Sequence, residues 1–135
     1  MLMGLLVAVF LLAHGLIHVA FISPAPPATA DGPAWPFVTD RSWLLRALGV
    51  QPEMVRILAM ALVAATVVGF ALAAVAALGV APGLWMPAIA IGSIASLGTL
   101  IGFFHPWLSL GIAIDVVLLC ATFVSGWTSG TLAVS

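Results

Sequence analysis

Charge is scarce in this chain. Three Lys or Arg and four Asp or Glu make up 5% of its 135 residues, where a soluble domain carries roughly 25%. So few charges cannot cover a globule of this size with polar surface. With 64% hydrophobic residues and a mean hydropathy of +1.35, the chain reads as a single-domain integral membrane protein. Its net charge of −1 provides no basic face, which excludes nucleic acid as a partner. A single cysteine, Cys120, excludes an intrachain disulfide and a cysteine-rich zinc site, and inside its apolar run it reads as a small packed side chain. A glycine-rich phosphate loop, a serine elbow and a Cys-x-x-Cys pair are also missing, which weighs against an enzyme. Met1, Met3, Met54, Met60 and Met86 are scattered and form no copper-binding cluster.

Apolar runs are what the chain has in abundance. Four of them, at about 2–22, 53–79, 84–104 and 107–127, are long enough to cross roughly 30 Å of hydrocarbon as helices. The expected fold is therefore an all-α, four-helix transmembrane bundle. Ala28-Thr29-Ala30 has the small-x-small form of a cleavage site. No Lys or Arg precedes the first run, however, and it is too long for a signal-peptide core, so it is read as a span. The prolines before Trp35 make residues 23–40 an extended loop. Thr39-Asp40 then reads as an N-cap for a short interfacial helix over about 40–48, stopping at Gly49, with Trp43, Leu44, Ala47 and Leu48 on one face. Pro52 and Glu53 open the next span.

Small residues recur every four positions along the second span, at Ala65, Gly69, Ala73 and Ala77, and again at Gly98 and Gly102 in the third. Such ridges let helix backbones approach closely. Tight turns at Ala81-Pro82-Gly83 and His105-Pro106 make spans two to four antiparallel neighbours. The tryptophans agree with this count: Trp85 and Trp127 fall at one membrane face, and Trp35, Trp43 and Trp107 at the other. All three basic residues, Arg41, Arg46 and Arg56, flank the first loop. The positive-inside rule then places loop 23–52 in the cytoplasm.

The residues that carry chemistry gather near that same face. His14-x-x-x-His18 puts two imidazoles on one face of the first span, about 6 Å apart along the axis. Counting from the loop-side ends, His14 and Asp115 each lie roughly 12 Å deep, with His18 and His105 nearer the headgroups. A carboxylate at that depth is protonated, paired with an imidazolium or bound to a metal. The depth match favours closure of the first span against the fourth. Gly111, Leu108 and Thr122 share the helix face of Asp115, and the small Gly111 would admit a neighbouring helix.

Three readings follow. His14, His18, His105 and Asp115 form a ligand site, with a transition metal on His14, His18 and Asp115, haem b between His105 and one of the other histidines, or a quinone on an imidazole and Asp115. This makes the chain a small membrane binding or accessory protein. Alternatively, the polar pair only fixes helix packing, in a structural subunit of a larger membrane complex or a homo-oligomer. A proton-coupled carrier is the third reading.

The combination of His14-Gly-Leu-Ile-His18, of Trp35-Pro-Phe with Asp40-Arg-Ser-Trp-Leu-Leu-Arg46, and of His105-Pro-Trp-Leu-Ser-Leu-Gly-Ile-Ala-Ile-Asp115 resembles a group of small four-helix membrane proteins of high-GC, actinobacterial-type bacteria. The likeness covers most of the chain. It implies the four-span topology and a bacterial cytoplasmic (inner) membrane, and it implies no activity. It also suggests that Asp40, Arg41 and Arg46 sit as a gate over the mouth of the His/Asp cluster.

Overall fold

The computed structural model describes residues 1–27, 32, 34–39 and 42–134. Its long elements are α1 (Leu2–Ile17), continued by a 3-10 turn at His18–Phe21; α3 (Pro52–Ala77); α4 (Trp85–Gly102), entered through a 3-10 turn at Pro82–Leu84; and α5 (Ser109–Phe123), entered through Pro106–Leu108. Each of these four is long and apolar enough to cross a membrane. Two short helices complete the order, α2 (Trp43–Ala47) and α6 (Ser129–Val134), and no strand occurs among the described residues. Leucine, isoleucine and valine side chains cover the outside. A helix in lipid satisfies its own backbone, so such a surface needs no polar cover.

The bundle is assembled by small residues. α3 and α4 are the most closely packed pair, and they cross where Gly69 meets Gly92. A Cβ on Gly69 would stand 2.5 Å from Gly92 N, a distance no side chain survives. The ridge expected on the second span is therefore in use, but its partner is Gly92. Gly98 meets only the tip of Leu62, at an ordinary 3.4 Å. Phe70, fully buried, fills the space next to this crossing. A Cβ on either Gly15 or Gly92 would come within 3.1 Å of Phe70.

Three expectations are corrected. First, α1 packs along α3 and not along α5. Its buried stripe of Gly4, Ala8, Leu11 and Gly15 faces α3, and these small residues draw the two backbones together. Second, α2 begins at Trp43 with Ser42 as its N-cap, not at Thr39-Asp40: Ser42 Oγ accepts from Leu45 N and donates to Gly102 O at 2.5 Å. Together with Trp43 Nε1 donating to Ile101 O at 2.7 Å, this fastens α2 to the last carbonyls of α4, which the helix itself leaves free. Gly49 ends α2 at φ 72° as expected. Third, α5 stops at Phe123. Gly126, at φ 70°, reverses the chain so that Trp127 O accepts from Trp85 Nε1 at 2.9 Å. Beyond that reversal the chain forms α6, which packs against α1 and α3, with Ser129 Oγ donating to Pro82 O.

Candidate functional site

The site begins where α1 tightens. At His18 the helix changes to 3-10 geometry, and the backbone N–H of His18 turns to Gly15 O. The carbonyl of His14, four residues back, accepts instead from the ring of His18 through Nδ1 at 3.0 Å. An acceptor made available by the change in helix type is thus satisfied by a side chain. This bond fixes His18 as the Nδ1–H form and points Nε2 inward. The two rings meet edge to face with centroids 5.5 Å apart, as the four-residue spacing predicts.

α5 and α4 supply the partners. His14 Nε2 lies 2.9 Å from Asp115 Oδ1. Ser96, on α4, hydrogen-bonds Asp115 Oδ2 with its hydroxyl oxygen, which also lies 2.8 Å from His18 Nε2. Four side chains from three spans therefore form one connected chain: His18, Ser96, Asp115, His14. Asp115 and Ser96 are 0% exposed, His18 1% and His14 8%. The surroundings are apolar. The His14 ring stacks against Phe10 and takes Phe70 edge to face at 5.0 Å. An unpaired charge at this depth costs about 3 kcal/mol or more, so the network is stable only when its protons and charges balance internally.

Above the network α1 and α5 diverge, leaving a cleft of about 150 Å³ between them. His14 and His18 line it, with Phe21, Gly111 and Ile114 among its apolar walls and exposed Ile17, Trp107 and Leu110 at its rim. Both ring nitrogens of His18 are engaged. His14 uses Nε2, while its Nδ1 makes no hydrogen bond among the described residues.

The predicted site residues thus fall into two sets. His14, His18 and Asp115 are brought together. His105 is not: it caps the turn before α5, with Nδ1 accepting from Trp107 N at 3.3 Å and its ring beside Trp107. No group of three His, Cys, Asp or Glu side chains is arranged to hold a metal among the described residues. The reason is local, since His18 turns one nitrogen to its own helix and the other to Ser96 and not toward a centre shared with His14 and Asp115. Arg46 is exposed on α2, and Asp40 and Arg41 lie outside the described residues. Arg56, with Thr39 and Ser23, lines a separate hollow of about 420 Å³ on the loop side. Thr122 is buried with its hydroxyl unpaired, and so does not join Asp115. Ser96 is the residue that sequence reasoning missed. Its one signal was the run of Ser93, Ser96 and Thr99 inside an apolar helix.

The fold and site define a class: a four-helix transmembrane bundle with a buried His/Ser/Asp network at the edge of an intramembrane cleft. Comparison with protein-family models, curated proteins and solved structures finds no match.

Proposed function

We propose that this chain is a small membrane-embedded binding or accessory protein. Its ligand is a lipid-soluble molecule with a single oxygen-bearing ring, of the quinone and quinol class, held in the cleft between the first and last spans. The observation that carries this reading is an apolar cleft of about 150 Å³ lined by His14, a member of the buried polar network whose Nδ1 makes no hydrogen bond among the described residues. An apolar cavity of roughly 150 Å³ accepts benzene, which matches one six-membered ring. Binding sites are mostly apolar with a few placed polar groups, and His14 supplies such a group here. The rim of Ile17, Trp107 and Leu110 is exposed and apolar, so the approach is from the lipid. Haem, much larger than a single ring, needs a far wider slot and an axial pair that His105 does not complete. We place the protein in a bacterial cytoplasmic membrane with loop 23–52 on the cytoplasmic side, surrounded by lipid and open to other membrane subunits or further copies of itself.

Photolabelling tests this. An alkylated phenyl azide, reconstituted with the protein in liposomes and activated by light, is expected to label the 107–114 segment and the end of α1. Excess non-reactive alkylbenzene should compete, and Ile114→Trp, which fills the cleft, should abolish the labelling. Even labelling over all four spans would instead fit a purely structural subunit.

A further inference from the structure

We infer that the cleft selects ring ligands that donate a hydrogen bond, phenols and quinols, over those that only accept one, quinones and aryl ethers. This rests on the reading of the cleft as a ring-binding site.

The protons of the network can be counted. Three hydrogen bonds run in series: His18 Nε2 with Ser96 Oγ, Ser96 Oγ with Asp115 Oδ2, and Asp115 Oδ1 with His14 Nε2. Each bond needs one proton, so the series holds three. His18 Nδ1–H is already committed to the His14 carbonyl. With these protons in place and His14 Nδ1 bare, the four side chains together are neutral. This is true of both directions Ser96 can take. A protonated Asp115 donates to Ser96, which donates to His18 Nε2; or a His18 imidazolium donates to Ser96, which donates to the Asp115 carboxylate. In each arrangement His14 Nε2–H donates to Asp115 Oδ1.

A further proton on His14 Nδ1 would give the set a net positive charge. Asp115 is the one carboxylate buried within the described spans, and Glu53 is exposed in the first turn of α3. Among the described residues no second anion compensates, and a lone charge at this depth is strongly disfavoured. His14 Nδ1 is therefore a lone-pair acceptor on a residue that lines the cleft. A ligand hydroxyl satisfies it, whereas a carbonyl or ether oxygen sets two acceptors against each other and leaves both desolvated. Trp107 at the rim is exposed, and a hydrogen bond from its indole N–H would serve any oxygen and would not discriminate.

The test uses the full-length protein in nanodiscs with three probes sharing one ring and tail: 4-hexylphenol, its methyl ether, and hexyl-1,4-benzoquinone. Ile114→Trp sets the background of partition into lipid. The phenol is expected to bind at least tenfold more tightly than the other two. Asp115→Asn should keep that preference, because its amide presents a carbonyl to His14 Nε2–H and an N–H to Ser96, reproducing the proton pattern. His14→Phe, which keeps a ring but no nitrogen, should bind phenol and ether alike. Equal binding of phenol and ether by the native protein overturns the inference and leaves the ring site standing. Failure of all three probes to bind above background removes the ring site itself. Nitrogen-15 NMR of the His14 ring decides the proton count independently: Nε2–H with bare Nδ1 is expected, and a protonated Nδ1 overturns the inference whatever binds.

Discussion

The seam between α3 and α4 and the junction between α1 and α5 solve the same problem in opposite ways. At the seam, backbones touch: Gly69 and Gly92 leave no room for a methyl group, and the nearby hydroxyls of Thr66 and Thr99 return to carbonyls of their own helices. At the junction the helices stand apart around a cleft and are joined by side chains remote in sequence, His14, Ser96 and Asp115. Polar groups satisfied within their own helix record only the cost of burial. Those satisfied across three spans fix a geometry that packing alone would not hold. The difference separates the part of the bundle that keeps it together from the part that has space for chemistry. Phe70 belongs to both, with one side against Gly92 and Gly15 and the other against the His14 ring.

Phe70→Ala should therefore have the largest effect. Removing a fully buried ring costs about 3 kcal/mol or more, and it takes away the surface that holds His14. Thermal unfolding in detergent should show the loss. Photolabelling of the cleft should weaken too, even at temperatures where the variant is folded. If labelling is unchanged in the folded variant, the two regions are independent and Phe70 belongs to the seam alone.

Gly69→Ala is next and concerns the seam by itself. Its Cβ would meet backbone, which cannot yield as a side-chain tip does, so a cost of about 1–3 kcal/mol is expected. Gly98→Ala meets only the end of Leu62 and should cost less than about 0.5 kcal/mol. Equal losses in the two variants, measured by the same unfolding experiment, would mean that the crossing point has been assigned to the wrong glycines.

The contrast also explains what the sequence could disclose. His14, His18 and Asp115 were legible because helical periodicity fixes which rings share a face, and rise per residue fixes depth. Neither quantity fixes the lateral order of helices. The depth match of His14 and Asp115 thus paired the right residues while assigning α1 the wrong packing partner, and the stripe from Gly4 to Gly15 decided that instead. Ser96 was hidden for a chemical reason. A serine or threonine in an apolar helix ordinarily bonds back to its own turn, as Thr66 and Thr99 do, so nothing in the sequence separates Ser96 from Ser93. The end of α5 was misread because hydropathy continues through Val124 while the reversal depends on Gly126.

Ser96→Ala breaks the junction without emptying it. Interhelical hydrogen bonds in membranes average about 0.6 kcal/mol and reach roughly 1.7, and Ser96 makes two, so a loss of about 1 kcal/mol is expected in thermal unfolding. The side-chain volume barely changes, which isolates the polar contribution. A loss near zero would mean that His18 and Asp115 find other partners and that the network is not a unit.

The smallest effect should come from His105→Ala. His105 takes one N–H at the start of the turn into α5, at a long 3.3 Å, on a half-exposed ring. Losing such a cap costs about 0.5 kcal/mol, and it should leave both cleft labelling and the nitrogen-15 signals of His14 where they were. The value of this variant is that it separates the two sets of histidines that the sequence grouped together. Should it instead shift the His14 signals or reduce labelling as Ser96→Ala does, His105 is coupled to the network. The cleft would then have to be treated as one wall of a larger site reaching the turn between α4 and α5.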